Sequence, residues 1–209
     1  MSATNSENKN YLFYKLNGKA DKDTIPAFWQ VEKKGESWVK TVSFDTVVGE
    51  LTRAEIKEFT YENQLKKSFS LEFADAGEVM IISMSHCLLA YNIINCLLNV
   101  EKGQQIKIKV YRKHVKETNK YFASSYITDI MDKKIPWLIN SEEAPRPVPV
   151  KVNGVDFFKD GKQVFDDKEV KQFWENKFKL IIKKLEDDNN FPTMPAAPME
   201  DFIKEDLPF

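Results

Sequence analysis

The stretch Lys107-Ile108-Lys109-Val110-Tyr111-Arg112-Lys113 alternates cations and an aromatic ring with apolar residues. In a strand, a period of two sends Lys107, Lys109, Tyr111 and Lys113 to one face, and Ile106, Ile108 and Val110 to the other. Ammonium groups along an extended backbone can neutralise a row of phosphates, and a ring between them is a stacking surface for a base. A plain solvated strand uses the same residue types, so the neighbouring segments must decide. They carry the same chemistry: Arg53, Lys57 and Phe59 in one stretch, Lys66 and Lys67 opening the next, and Lys120, Phe122 and Tyr126 in the last. Which face these last groups take is left open by the pattern. Trp29 and Trp38 either stack bases or pack the core, and packing is the commoner fate of a tryptophan.

A second group lies at the other end of the chain. Asp201, Phe202, Ile203, Glu205, Asp206, Leu207, Pro208 and Phe209 combine carboxylates with large apolar side chains. A solvated tail has no folding reason to keep such residues. The combination suits capture by a partner that offers a ring pocket and basic groups, with the terminal carboxylate expected to take part. The tail also divides the charge. The chain holds 31 Lys and Arg against 32 Asp and Glu, but residues 186–209 carry seven of the acids and only Lys204, leaving the body at +5 and the tail at −6. A basic body tethered to an acidic tail fits a binder of polyanions whose tail competes for the groove or recruits a basic partner.

The elements that would position these residues follow from periodicity. Short strands are expected at Tyr11–Leu16 and in a hairpin formed by Ala27–Glu32 and Trp38–Val42. A long strand over Thr46–Tyr61, interrupted around Arg53-Ala54, is followed by an alternating strand at Lys66–Phe73 and a short apolar one at Val79–Met84. His86–Val100 switches to helical spacing, with Leu89, Ile93, Cys96 and Leu97 on one face. Strands return at Gln105–Lys113 and Tyr121–Thr128. Three strands, a helix and two strands is the element order of an OB-fold, a small five-stranded barrel. Asn153-Gly154 and Asp160-Gly161 mark turns. A helix then starts near Asp166, with Val170, Phe173, Trp174, Phe178, Ile181, Ile182 and Leu185 as one apolar stripe, buried on the barrel or in a homodimer interface. The expected organisation is a flexible segment 1–10, one domain over 11–185 with its barrel at about 46–128, and a flexible acidic tail over 186–209.

Composition and motifs argue against several classes. No run is long enough for a membrane span and the polar N-terminus is not a signal peptide, so a cytoplasmic location is expected. Cys87 and Cys96 fall in one apolar segment and read as free thiols; with His86 and His114 the only histidines, no zinc spacing exists and no cofactor is expected. There is no Gly-rich phosphate loop and no nucleophile elbow, so nothing argues for an enzyme, although scattered carboxylates leave a metal-dependent nuclease as a rival.

The closing Asp206-Leu207-Pro208-Phe209 resembles the tip of bacterial single-stranded DNA-binding proteins, which end in Asp-Ile-Pro-Phe after further acids. The element order, basic-aromatic strands and terminal Phe209 are also similar to those of phage single-stranded DNA-binding proteins that have an OB domain, a late helix and an acidic tail. The resemblance implies stoichiometric, sequence-independent binding of single-stranded DNA in replication, recombination and repair, with the tip docking on replication or recombination proteins. A hairpin and helix stand where the bacterial family has a long linker, which argues against its usual tetramer, and the zinc ligands of another phage group are missing. An RNA-binding OB module, a recombination mediator or annealing protein, and an OB adaptor for proteins use the same residue types. The DNA reading predicts that oligo-dT quenches tryptophan emission saturably and less tightly at high salt, while a duplex of equal length does not. A flat response to both, with flat anisotropy of a labelled strand, would leave the adaptor.

Overall fold

The computed structural model describes residues 10–35 and 37–186; the acidic tail residues 187–209 and the first nine residues lie outside them. The architecture is mainly β. Eight strands build one curled sheet, a half-barrel: β1 (Asn10–Asn17), β2 (Ala27–Lys34), β3 (Ser37–Phe44), β4 (Thr46–Tyr61), β5 (Gln64–Asp75), β6 (Glu78–Ser85), β7 (Gln105–Val115) and β8 (Lys120–Asp129). Helix α1 (Leu88–Leu97) sits between β6 and β7, and helix α2 (Lys168–Glu186) comes last. Glu186, expected in the tail, is the final residue of α2.

The sheet order is β3-β2-β1-β6-β5-β4-β7-β8. All neighbours are antiparallel except β1 and β6, which run parallel with Phe13 opposite Ile81. The hairpin expected from Ala27–Glu32 and Trp38–Val42 is β2–β3, and with β1 it forms a wing continuous with the rest of the sheet. β4 is the strand that bends. Its first residues pair with β7 (Thr46 with Lys109, Glu50 with Gln105) and most of its length pairs with β5. A bulge between Leu51 and Arg53 accommodates the turn, one residue before the interruption expected from the sequence. Gly49 sits at the crossing. A Cβ there would come within 3.0 Å of the Ala74 carbonyl oxygen and 3.2 Å of the Phe73 Cβ.

The main core lies on one side of the sheet, and a smaller apolar patch of Val31, Val79 and Ile81 is buried on the other. Phe69, Leu71 and Phe73 of β5, Ile106, Ile108 and Val110 of β7, and Leu89, Ile93, Ile94 and Leu97 of α1 belong to a single buried cluster. α2 closes it with Val170, Trp174, Phe178, Ile181 and Leu185, so this stripe is used within the chain rather than left for a dimer partner. Asn95, buried in α1, is held at both ends: its amide donates to the Ile139 carbonyl at 2.8 Å, and its oxygen accepts from the Ile139 and Leu138 N–H groups. That pins the Pro-containing segment after β8. Lys184 donates to the carbonyls of Leu98 and Val100 just past the end of α1, which ties the two helices.

Between β8 and α2 lie six short strands: β9 (Val148–Pro149), β10 (Lys151–Val152), β11 (Val155–Asp156), β12 (Phe158–Lys159), β13 (Lys162–Gln163) and β14 (Phe165–Asp166). Asn153-Gly154 and Asp160-Gly161 make the two tight turns with both residues at positive φ, as two-residue hairpin loops require. Val150, Phe157 and Val164 close a ring of three backbone hydrogen bonds, each donating to the next. No helix among the described residues is long and apolar enough to cross a membrane.

A buried polar network joins α2 to the sheet. The Glu175 carboxylate lies 2.8 Å from Lys67 Nζ and 3.5 Å from His86 Nε2, while His86 Nδ1 is 3.1 Å from the Tyr91 hydroxyl. Tyr91 stacks on Trp174 with ring centroids 5.3 Å apart. Burial outweighs the nearby Glu175 carboxylate and lowers the His86 pKa from 6.5 to about 4.

Two expectations follow. Gly49→Ala forces backbone and core atoms apart and should destabilise by about 1–3 kcal/mol, read from the urea midpoint; an unchanged midpoint would mean the crossing is slack. For His86 the folded pKa lies below that of the unfolded chain, so the unfolded state takes up the proton first as pH falls. Stability is complete above about 6.5 and should decline between about 6.5 and about 4. His86→Gln should flatten that part of a thermal-midpoint profile; a decline of the same size in the variant would assign it to other groups.

Candidate nucleic-acid interface

With the core on one side, period-two alternation places the remaining side chains on the opposite face. On β7 and β8 the register pairs Lys107 with Thr128, Lys109 with Tyr126, Tyr111 with Ser124, Lys113 with Phe122, and Val115 with Lys120. Cross-strand partners share a face. Lys107, Lys109, Tyr111, Lys113, Lys120, Phe122 and Tyr126 are thereby brought together on the face away from the core. Tyr111, Phe122 and Tyr126 are 36, 42 and 37% exposed. The two tyrosine rings lie 5.9 Å apart at 56°, and the Tyr111 hydroxyl accepts from Ser124 Oγ at 3.2 Å, which holds the ring upright.

The cations of this patch differ in their company. Lys107 is 2.7 Å from Asp132, whose hydrogen bond and charge raise the Lys107 pKa. Lys109 is 3.5 Å from Asp45. Both are exposed pairs, worth little in water and readily exchanged for a phosphate. Lys113 and Lys120 have no carboxylate partner among the described residues. On the reverse side of the same arm, the Arg112 guanidinium lies 5.0 Å from the Tyr121 ring centroid and donates to the carbonyls of Asp21 and Lys22, so it braces the loop before β2.

Arg53, Lys57, Phe59 and Lys66 form a second group on the same face. Their partners across β4 and β5 are Glu72, Ser68 and, for Phe59, Lys66 itself. The bulge shifts the phase of the strand: Leu51 before it and Ala54 after it are both in the core, which turns Arg53 and Lys57 to the opposite face. Arg53 is seven residues along β4 from Thr46, the partner of Lys109, a distance of about 20 Å, so the two groups are separate patches. Burial lowers the Lys57 pKa, opposed by Glu55 and reinforced by Arg53. Lys66 donates to Gln64 at 2.8 Å.

Lys67 does not join them. Consecutive residues of a strand point to opposite faces, and Lys67 lies on the helix side, bound to Glu175 and 3.7 Å from Glu58. Its role in the structure is to anchor α2. The tail residues Asp201–Phe209 lie outside the described residues.

Comparison with known proteins gives no relative: no family model, curated protein or solved structure matches the chain.

Sequence reasoning passed over Phe13, Lys15 and Lys40, and left Trp29 and Trp38 undecided. The structure places all five on the face away from the main core, and neither tryptophan belongs to the core cluster. In β1, Tyr11 to Leu16 carries bulky apolar side chains at both parities, so its alternation does not select a face. The only legible sign was Lys15, the one cation inside that run.

Proposed function

We propose that the chain binds single-stranded DNA without sequence preference, in replication, recombination and repair, and that the acidic-apolar segment Asp201–Phe209 recruits partner proteins. The observation that carries this reading is the register of β7 and β8, which gathers four lysines and three aromatic rings on one uncovered face. Cations that track a backbone, interleaved with rings that offer flat surfaces, are what a flexible strand requires and a rigid duplex does not. The order β6-β5-β4-β7-β8, with α1 between β6 and β7, supports reading this half of the sheet as an OB-type core. One position differs: the edge of β6 is taken by β1 in parallel, and no β6–β8 pairing exists among the described residues.

Binding would displace Asp132 and Asp45 from Lys107 and Lys109 and release counterions from the strand, which makes affinity fall steeply with salt. Tyr111 and Tyr126 would each stack a base for roughly 1–3 kcal/mol.

The double variant Tyr111→Ala, Tyr126→Ala should weaken oligo-dT binding at least about tenfold in an anisotropy titration, with an unchanged thermal midpoint because both rings are exposed. Lys113→Ala should lower the slope of log affinity against log salt by about 0.7. Wild-type affinity in both variants would refute the assignment, and tighter binding of an oligo-rU of matched length would turn it towards RNA.

A further inference from the structure

The helix side of the molecule holds a cavity of about 510 Å³ that the β7–β8 face does not use. It lies between α1, the segment after β8 and the start of α2, and its volume is in the range of pockets that enclose a small ligand. Its apolar wall is the stacked pair Tyr91 and Trp174 together with Trp137, Ile139 and Val170. The cavity is open, for Trp137 is 51% exposed and Leu88, on the rim, 63%. The exposed indole is nevertheless fixed, because its N–H hydrogen-bonds to the sulfur of buried Cys96. A second hollow of about 300 Å³, lined by Lys134, Pro136 and Trp137, adjoins the first at that ring. Each hollow has a cation. Arg146 stands in the larger and Lys134 in the smaller, and neither has a carboxylate partner among the described residues. Asp167, which also lines the larger cavity, is held by Lys171 at 2.9 Å.

Slots for a ring beside cations that lack a counter-charge are what the segment Asp201–Phe209 asks of a partner. It carries Phe202 and Phe209 among Asp201, Glu205 and Asp206. We infer that the cavity around Trp137 is a docking site for an acidic peptide with aromatic side chains, and that its occupant is residues 201–209 of the same chain. The inference deepens the reading of that segment as a recruiting one and rests on it. The connection is long enough. Trp174 and Glu186 are separated by about 18 Å of helix, whereas residues 187–200 span about 46 Å at full extension. Charge favours the same seat, since residues 186–209 carry −6 and the body +5. The cavity and the β7–β8 face lie on opposite sides of the sheet. A seated tip therefore leaves Lys109, Tyr111 and Tyr126 uncovered, and a partner protein takes the tip from the cavity without contesting the bound strand.

The test uses the full chain labelled with 5-fluorotryptophan, in which the fluorine resonance lost from Trp137→Phe is that of Trp137. Phe202→Ala with Phe209→Ala should shift the Trp137 resonance and leave those of Trp29 and Trp38 in place. Added to that variant, a synthetic peptide of residues 201–209 should return the Trp137 resonance to its wild-type position. Arg146→Ala, at an exposed position, should weaken the peptide about tenfold. Saturating oligo-dT should leave the Trp137 resonance of wild type unmoved. If neither the tip variant nor the peptide moves Trp137 while oligo-dT still binds, the docking site is overturned and the proposed DNA binding stands. Unchanged peptide affinity in Arg146→Ala, or displacement of the peptide by oligo-dT, would also overturn it, the latter placing the tip in the strand groove. A wild-type Trp137 shift that grows with protein concentration would overturn seating within one chain and assign the tip to a second copy. If the peptide binds and oligo-dT does not, the site stands and the single-strand reading falls.

Discussion

A β-sheet has two faces, and α1 and α2 claim one of them. Every other feature of the molecule follows from that commitment. Burial of Phe69, Leu71 and Phe73 against Phe178 and the apolar residues of α1 fixes the side of each strand that must be apolar. Alternation then forces the intervening residues outward whatever their chemistry. A slip of one residue in β7 would bury Lys107, Lys109 and Lys113 and expose Ile106, Ile108 and Val110, an exchange no sheet could survive. The cations and rings opposite the core are therefore held in place by the hydrophobic pattern behind them. The outward face is free to carry a binding surface because it has no part in closing the main core.

The helix side shows what closing the core demands. α2 brings a carboxylate, Glu175, into a nearly dry site, where it is matched by Lys67 and faced by His86. A buried carboxylate without such partners would be strongly destabilising, so Lys67 is committed to the helix and withdrawn from any ligand. His86 is kept neutral by the same burial, wedged between Phe69 and Tyr91. The ring of three backbone hydrogen bonds before α2 and the contacts of Asn95 with Leu138 and Ile139 do related work: they hold an otherwise irregular stretch so that α2 arrives in register.

Much of this was legible in the amino-acid order because the signals were local. The alternation of Ile106, Ile108 and Val110 with lysines, the stripe from Val170 to Leu185, and the Asn153-Gly154 and Asp160-Gly161 turns each depend on a few neighbouring residues. The β7–β8 face followed from the same alternation. What escaped depends on partners far apart in sequence. The β2–β3 hairpin is local and legible, but nothing in Tyr11–Leu16 announces a parallel neighbour more than sixty residues away, so the joining of the wing to β6 is not. Lys66 and Lys67 were grouped by adjacency, although two successive residues of one strand cannot share a face. Thr52, at the bulge, marks a related limit: a bulge changes the phase of a strand, and beyond it the side on which Arg53 and Lys57 stand is settled only by pairing.

The charge layout gives the two outward patches different physics. On β7 and β8 the acids that meet the lysines, Asp45 and Asp132, come from the strand ends and the following turn, on exposed side chains that swing away at little cost. Between β5 and β4, Glu72 and Glu55 are built into the rows beside Arg53 and Lys57, and one oxygen of Glu55 is buried without a hydrogen-bond partner among the described residues. A polyanion entering there would meet carboxylates held in the rows of the sheet. The sheet thus separates mobile counter-charges beside β7 and β8 from fixed ones between β5 and β4. A polyanion would therefore be drawn first to β7 and β8, where no fixed acid on the same face of those strands opposes long-range attraction.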